Sequence, residues 1–109
     1  NLFTASDVHE NGLNEFLNLV KTRNNDNYLF YVSFDIDSLD AAYVPGAGTP
    51  ETYGLTPTQV RTILRTLGDF SNIECIDLVE VAPPLDINDI TSWCGIKLLY
   101  EFFACNRKV

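Results

Sequence analysis

The chain has 109 residues, with 7 Lys and Arg against 15 Asp and Glu, for a net charge of −8. That balance speaks against nucleic acid or an anionic membrane as partner, because phosphate would be repelled over most of the surface. Apolar residues make up 46% and charged residues 20%, a globular composition; no apolar run approaches the ~20 residues needed to cross a bilayer. No basic stretch followed by an apolar run opens the chain, so no signal peptide is expected. The lack of Met at Asn1 points to a missing N-terminus. Cys75, Cys94 and Cys105 include no Cys-x-x-Cys pair, and His9 is the only histidine. A zinc site is therefore not expected, and the cysteines read as buried free thiols of a reducing, cytoplasmic compartment. His9, between Asp7 and Glu10, reads as a solvated or locally bonded imidazole.

In chain order, Leu13, Phe16, Leu17 and Val20 share one helical face, with Asn11 as candidate N-cap. The run 23–27 is a polar turn. Tyr28 to Phe34 is almost continuously apolar, which predicts a strand buried on both faces of a parallel sheet. The segment 38–56, with Pro45, Gly46, Gly48, Pro50 and Gly54, predicts an ordered functional loop. Thr56-Pro57 reads as an N-cap followed by Pro at the first helical position, and Val60, Ile63, Leu64 and Leu67 continue that helix to Gly68. Ile73 to Val81 is a second strand, stopped by Pro83-Pro84. A last helix starts at Asp89 or Thr91 and runs to about Cys105. The alternation predicts an α/β fold with a mainly parallel sheet. Two strands alone leave open edges, so the chain reads as the last third of a larger domain.

The sharpest chemical signal is Asp35-x-Asp37 at the first strand's end. Residues i and i+2 of an extended chain point to one side, and ligands of open α/β sheets sit at the carboxyl ends of strands. Two carboxylates there either hold a hard divalent cation or cap a loop. Glu80, near the end of the second strand, shares the rim if the strands are parallel neighbours. It either binds a cationic group or faces water. Asp77 belongs to the other face of its strand, and Asp40, Asp86 and Asp89 read as turn and cap residues. The loop lacks the Gly-Lys-Ser/Thr ending of a phosphate loop. Ser33 and Ser38 have no histidine near them in sequence, a poor match to a serine hydrolase.

The stretch Ser33-Phe34-Asp35-Ile36-Asp37-Ser38-Leu39-Asp40, then Pro45-Gly46-Ala47-Gly48-Thr49-Pro50-Glu51 and Gly54-Leu55-Thr56, resembles the signature of the ureohydrolases, the arginase, agmatinase and formiminoglutamase family. Asp77-Leu78-Val79-Glu80-Val81-Ala82-Pro83-Pro84, Asp86, Asp89-Ile90-Thr91 and 97–102 resemble its last strand and helix. The Pro-Gly-x-Gly-Thr-Pro-Glu form looks closer to the agmatinase branch. The resemblance implies that residues 1–109 are the C-terminal part of a three-layer α/β/α domain, with the N-terminal two thirds absent. It implies a hydrolase of linear guanidino or amidino C–N bonds that releases urea, acts on a small substrate such as agmatine or arginine, and uses two Mn²⁺ per complete active site. By the same resemblance Asp35 bridges both ions, Asp37 ligates one, Glu80 holds the guanidinium, and Thr49 lies near the substrate. The complete protein would form a homo-oligomer, a trimer or hexamer. The family's Gly-Gly-Asp-His and Asp-x-His-x-Asp segments do not occur, Ala41 stands where Pro is common, and Tyr53 where Gly is common. The rival expectations are a catalytically inactive fragment or oligomerisation piece, and a domain completed by another chain.

Overall fold

The computed structural model describes residues 2–25 and 27–105. The elements, in order, are α1 (Ala5–Asn11), α2 (Asn14–Arg23), β1 (Phe30–Asp35), α3 (Pro57–Gly68), β2 (Ile73–Val79) and α4 (Ile90–Cys105), with single 3₁₀ turns at Ile36–Ser38 and Pro83–Leu85. None of the described helices is long and apolar enough to cross a membrane.

α1 is not expected from its sequence, which is short and polar with Val8 as its one buried residue. A capping box makes its start: Asp7 N–H donates to Thr4 Oγ1 (3.1 Å) and Thr4 N–H donates to the Asp7 carboxylate (2.7 Å). Asn11 is the last residue of α1, not the N-cap of α2. Gly12, at φ 78, breaks the helix, and α2 starts behind Leu13 with no side-chain cap. α3 begins as its sequence predicts, with Thr56 and Gln59 in a reciprocal capping box and Pro57 behind the cap.

β1 and β2 pair in parallel, with Tyr31 opposite Cys75, Ser33 opposite Asp77 and Asp35 opposite Val79. One face, formed by Val32, Phe34, Ile76 and Leu78, packs on the core. Ile36, Leu39, Val60, Leu64, Leu98 and Phe102 fill that core between the sheet and the α3–α4 pair, and Val20 of α2 packs against it. Beyond the core, Arg61 and Arg65 of α3 both reach Glu101 of α4, at 2.8 and 2.7 Å. These exposed pairs orient the two helices more than they stabilise them.

The other sheet face is bare. Tyr31 is 60% exposed, and Ser33 and Cys75 are exposed as well. β1 is therefore not buried on both faces as its apolar run predicts; the described residues form a parallel sheet covered by helices on one face, as part of a larger α/β fold would be. Among the described residues, nothing covers the second face. The three thiols are free as expected, but Cys75 is exposed and Cys94 and Cys105 are only half-buried, so the reading of buried thiols is corrected. Burial pushes the Cys94 thiol up.

Candidate functional site

The parallel pairing ends with Asp35 beside Val79, so both strands deliver their carboxyl ends to one rim. Asp35 is the last residue of β1 and also caps the 3₁₀ turn that follows. Its Oδ1 accepts from Asp37 N–H at 3.1 Å, and its carbonyl accepts from the Ser38 hydroxyl at 2.7 Å. The extended alternation that would align Asp35 with Asp37 thus gives way to a tight turn, which still brings the two carboxyl groups together.

On β2 the strand stops at Val79, two residues before its sequence predicts. Glu80 has φ 64, in the left-handed region that a side-chain-bearing residue rarely adopts. The chain is held on either side of it: β2 precedes it, and Val81 pairs with Ala47 while Ala82 N–H donates to the Gly46 carbonyl at 2.7 Å. Backbone strain of this kind persists only where surrounding structure over-determines it.

The long loop is ordered, as expected, by ties along its length. Leu55 N–H donates to Ser38 O (2.9 Å), Asp40 N–H to Leu55 O (3.0 Å) and Ala41 N–H to Glu51 O (2.8 Å). At its middle, Gly46 N–H donates to the hydroxyl of Thr91, a fully buried residue of α4, at 2.7 Å. A Cβ on Gly46 would collide with the Asp86 carboxyl group, so glycine is required by close approach. Asp40 accepts from Ala42 N–H, and Asp86 accepts from the N–H groups of Ile87, Thr91 and Ser92, which makes them the turn and cap residues that the sequence predicts.

These elements place carboxylates along the rim. Asp37 is pushed up to about 6, first by a side-chain hydrogen bond with Asp35, then by burial, then by the negative charges of Asp35, Glu80 and Glu51. Asp35 and Asp37 are therefore adjacent, and Glu80 and Glu51 lie near enough for their charges to act on Asp37. Thr49 is exposed on the same loop, between Ala47, which pairs beside Glu80, and Glu51. Glu51 joins the cluster unassigned by sequence reasoning; its only signal is its place at the end of the Pro-Gly-x-Gly-Thr-Pro-Glu run.

Hard carboxylate oxygens that repel one another suit a divalent cation such as Mn²⁺. Among the described residues, however, no group of three or more His, Cys, Asp or Glu is arranged to hold a metal ion by itself. The donor type fits and the donor number falls short. On the bare face, Tyr31 donates its hydroxyl to Asp77, and that bond, with a further one from Ser33, holds the Asp77 carboxyl below the usual range. Asp77 thus faces the bare side of the sheet with Tyr31, Ser33 and Cys75.

The description of the arginase family matches residues 1–105. Human mitochondrial guanidino acid hydrolase is 48% identical over 79 residues, which cover 72% of this chain and 22% of that protein. The agmatinase of Chromobacterium violaceum is 45% identical over 111 residues, covering 100% of this chain and 34% of its own. Among solved structures, the agmatine ureohydrolase of Thermoplasma volcanium superposes with a TM-score of 0.83 at 36% identity, over 95% of this chain and 33% of that one. The chain spans between about a fifth and a third of the length of these relatives.

Proposed function

Because the chain belongs to the arginase family, we propose that it supplies the carboxylate wall of a ureohydrolase acting on a linear guanidino compound, agmatine or arginine being the types to try. The observation that supports this reading is the adjacent Asp35–Asp37 pair at the end of β1, with Glu80 and Glu51 near enough for their charges to act on Asp37. In this reading residues 1–109 are the C-terminal part of a single larger domain, and complete subunits assemble as a trimer or hexamer.

Asp35 and Asp37 would hold Mn²⁺ together with ligands from outside the described residues, which by themselves form no such group. When bound, the metal pair supplies an activated water and charge stabilisation for attack on the guanidine carbon. The chain's own residues do the rest. Glu80, fixed in a strained backbone at the strand end, presents a carboxylate that complements a planar guanidinium by paired charge-assisted hydrogen bonds. Glu51 adds negative potential that draws in a cationic substrate. Thr49 offers a hydroxyl at the open side of the rim, and the Gly46 and Ala47 ties hold its loop in place.

The shortage of ligands favours a second reading, in which the chain by itself is an inactive piece. One experiment separates the two. Mn is measured per chain after exhaustive dialysis, and urea release from agmatine is assayed on the same sample. About two ions per chain with turnover supports the first reading; neither supports the second. In a complete protein that does turn over, Asp35→Ala should abolish activity and lower metal content. Full activity in that variant would end the proposal.

A further inference from the structure

His9, the one imidazole of the chain, sits on α1 but bonds far from it. Its Nε2 lies 3.0 Å from the Gly54 carbonyl oxygen and 3.3 Å from that of Tyr53. Its Nδ1 lies 3.5 Å from the side-chain Nε2 of Gln59. His9 is exposed, as a solvated imidazole would be, but the alternative of a locally bonded ring is corrected: the partners are 44, 45 and 50 residues away.

The hydrogen-bond roles follow from the partners. A carbonyl oxygen only accepts, so Nε2 carries the proton. The Gln59 amide is oriented by its own capping work, since its Oε1 accepts from Thr56 N–H at 2.8 Å and from the Thr56 hydroxyl at 3.1 Å. Its nitrogen is left to donate, and Nδ1 is the acceptor. One ring thus joins α1, the return of the long loop, and the first turn of α3.

The two carbonyls it takes belong to consecutive peptides, Tyr53–Gly54 and Gly54–Leu55, beside the loop's left-handed residue. Tyr53 has φ 62, and its side chain is 82% exposed, so its own packing does not hold it there. Gly54 lies so close to the backbone of Leu39 and Asp40 that a Cβ has no room. Leu55 follows at once with the two hydrogen bonds that close the loop. His9, Asp40, Tyr43 and Tyr53 line an open cleft of about 470 Å³ beside this closure.

We infer that His9 is a positioning residue. Its Nε2-protonated ring fixes the Tyr53–Gly54 and Gly54–Leu55 peptides and, through them, the limb of the loop that carries Thr49 and Glu51 toward the carboxylate rim. The effect on turnover rests on the proposed function above; the effect on the loop does not.

Hydrogen exchange on the 109-residue chain tests the inference without any activity. In His9→Ala, the amides of Asp40, Ala41 and Leu55 should exchange roughly fivefold faster, as loss of one hydrogen bond predicts. Those of β1, β2 and α4 should keep their protection. His9→Gln, whose side-chain amide can still donate to the carbonyls, should restore most of it. A two-bond ¹H–¹⁵N spectrum of the neutral ring should show the proton on Nε2. In a complete enzyme, His9→Ala should raise KM several-fold with less effect on kcat, and His9→Gln should bring KM back. Unchanged exchange in His9→Ala, equal loss in both variants, loss spread over the whole chain, or a proton on Nδ1 would each overturn the assignment. An enzyme without guanidino activity would remove the proposed function and leave the exchange result to decide the role of His9.

Discussion

Gly54→Ala tests whether the long loop is built by close backbone approach. The added methyl would lie 2.7 Å from the Leu39 carbonyl oxygen and nearer still to the Asp40 nitrogen. These are backbone atoms, and they cannot swing aside as a flexible side chain can. Overpacking of this kind costs about 1–3 kcal/mol. The neighbouring bonds from Leu55 to Ser38 and from Asp40 to Leu55 would stretch, each adding about 1 kcal/mol if lost. The sum is about 3–5 kcal/mol, a large part of a small domain's total. For a chain of this size that moves a urea midpoint by about 2 M or more. Gly48→Ala is the internal control, because nothing lies near its Cβ and its φ is not in the left-handed region. It should stay within about 0.5 kcal/mol of the parent. A Gly54→Ala midpoint equal to the parent's, or an equal loss in both variants, would refute the reasoning.

Three further outcomes follow from the fold. Phe102 is 1% exposed at the centre of the core, so Phe102→Ala should cost about 3–5 kcal/mol in urea unfolding. Thr56→Ala removes the α3 capping box and should cost about 1 kcal/mol, read as a fall of about 5 °C in the melting midpoint. Asp86 sits at about 2: burial raises it, but the hydrogen bonds of Thr91, Ser92 and Ile87 more than offset that. A depressed carboxyl contributes stability that is complete above its unfolded value near 3.8 and is lost as pH falls through its folded value. Unfolding midpoints measured from pH 5 down to 2 should therefore drop below pH 4, with a shallower drop in Asp86→Asn.

The elements with local signals were legible in the sequence. Thr56-Pro57 and the apolar spacing behind it mark α3 because a cap and a 3.6-residue period are properties of neighbouring residues. Both strands and their carboxylate ends were legible for the same reason. α1 was not: the Thr4-x-x-Asp7 box is a local signal for its start, but no apolar period follows it, and the rest of its order comes from distant contacts, with Val8 buried and His9 on the loop. The burial of β1 was overread because an apolar run reports what a strand can be covered by, not what covers it in this chain. The early end of β2 depends on the pairing of Val81 with Ala47, which no window around Glu80 contains. Glu51 escaped notice because only the loop's tertiary ties carry it to Asp37.

The left-handed backbone at Glu80 bears on how this position should vary when the protein is made to evolve. Gly, or to a lesser degree Asn, would relax that conformation; either would remove the carboxylate. A library selected only for yield or heat resistance should therefore drift away from glutamate at residue 80, while one selected for turnover of a cationic substrate should retain it despite the strain. The same residue would then report which of the two pressures a population had been under.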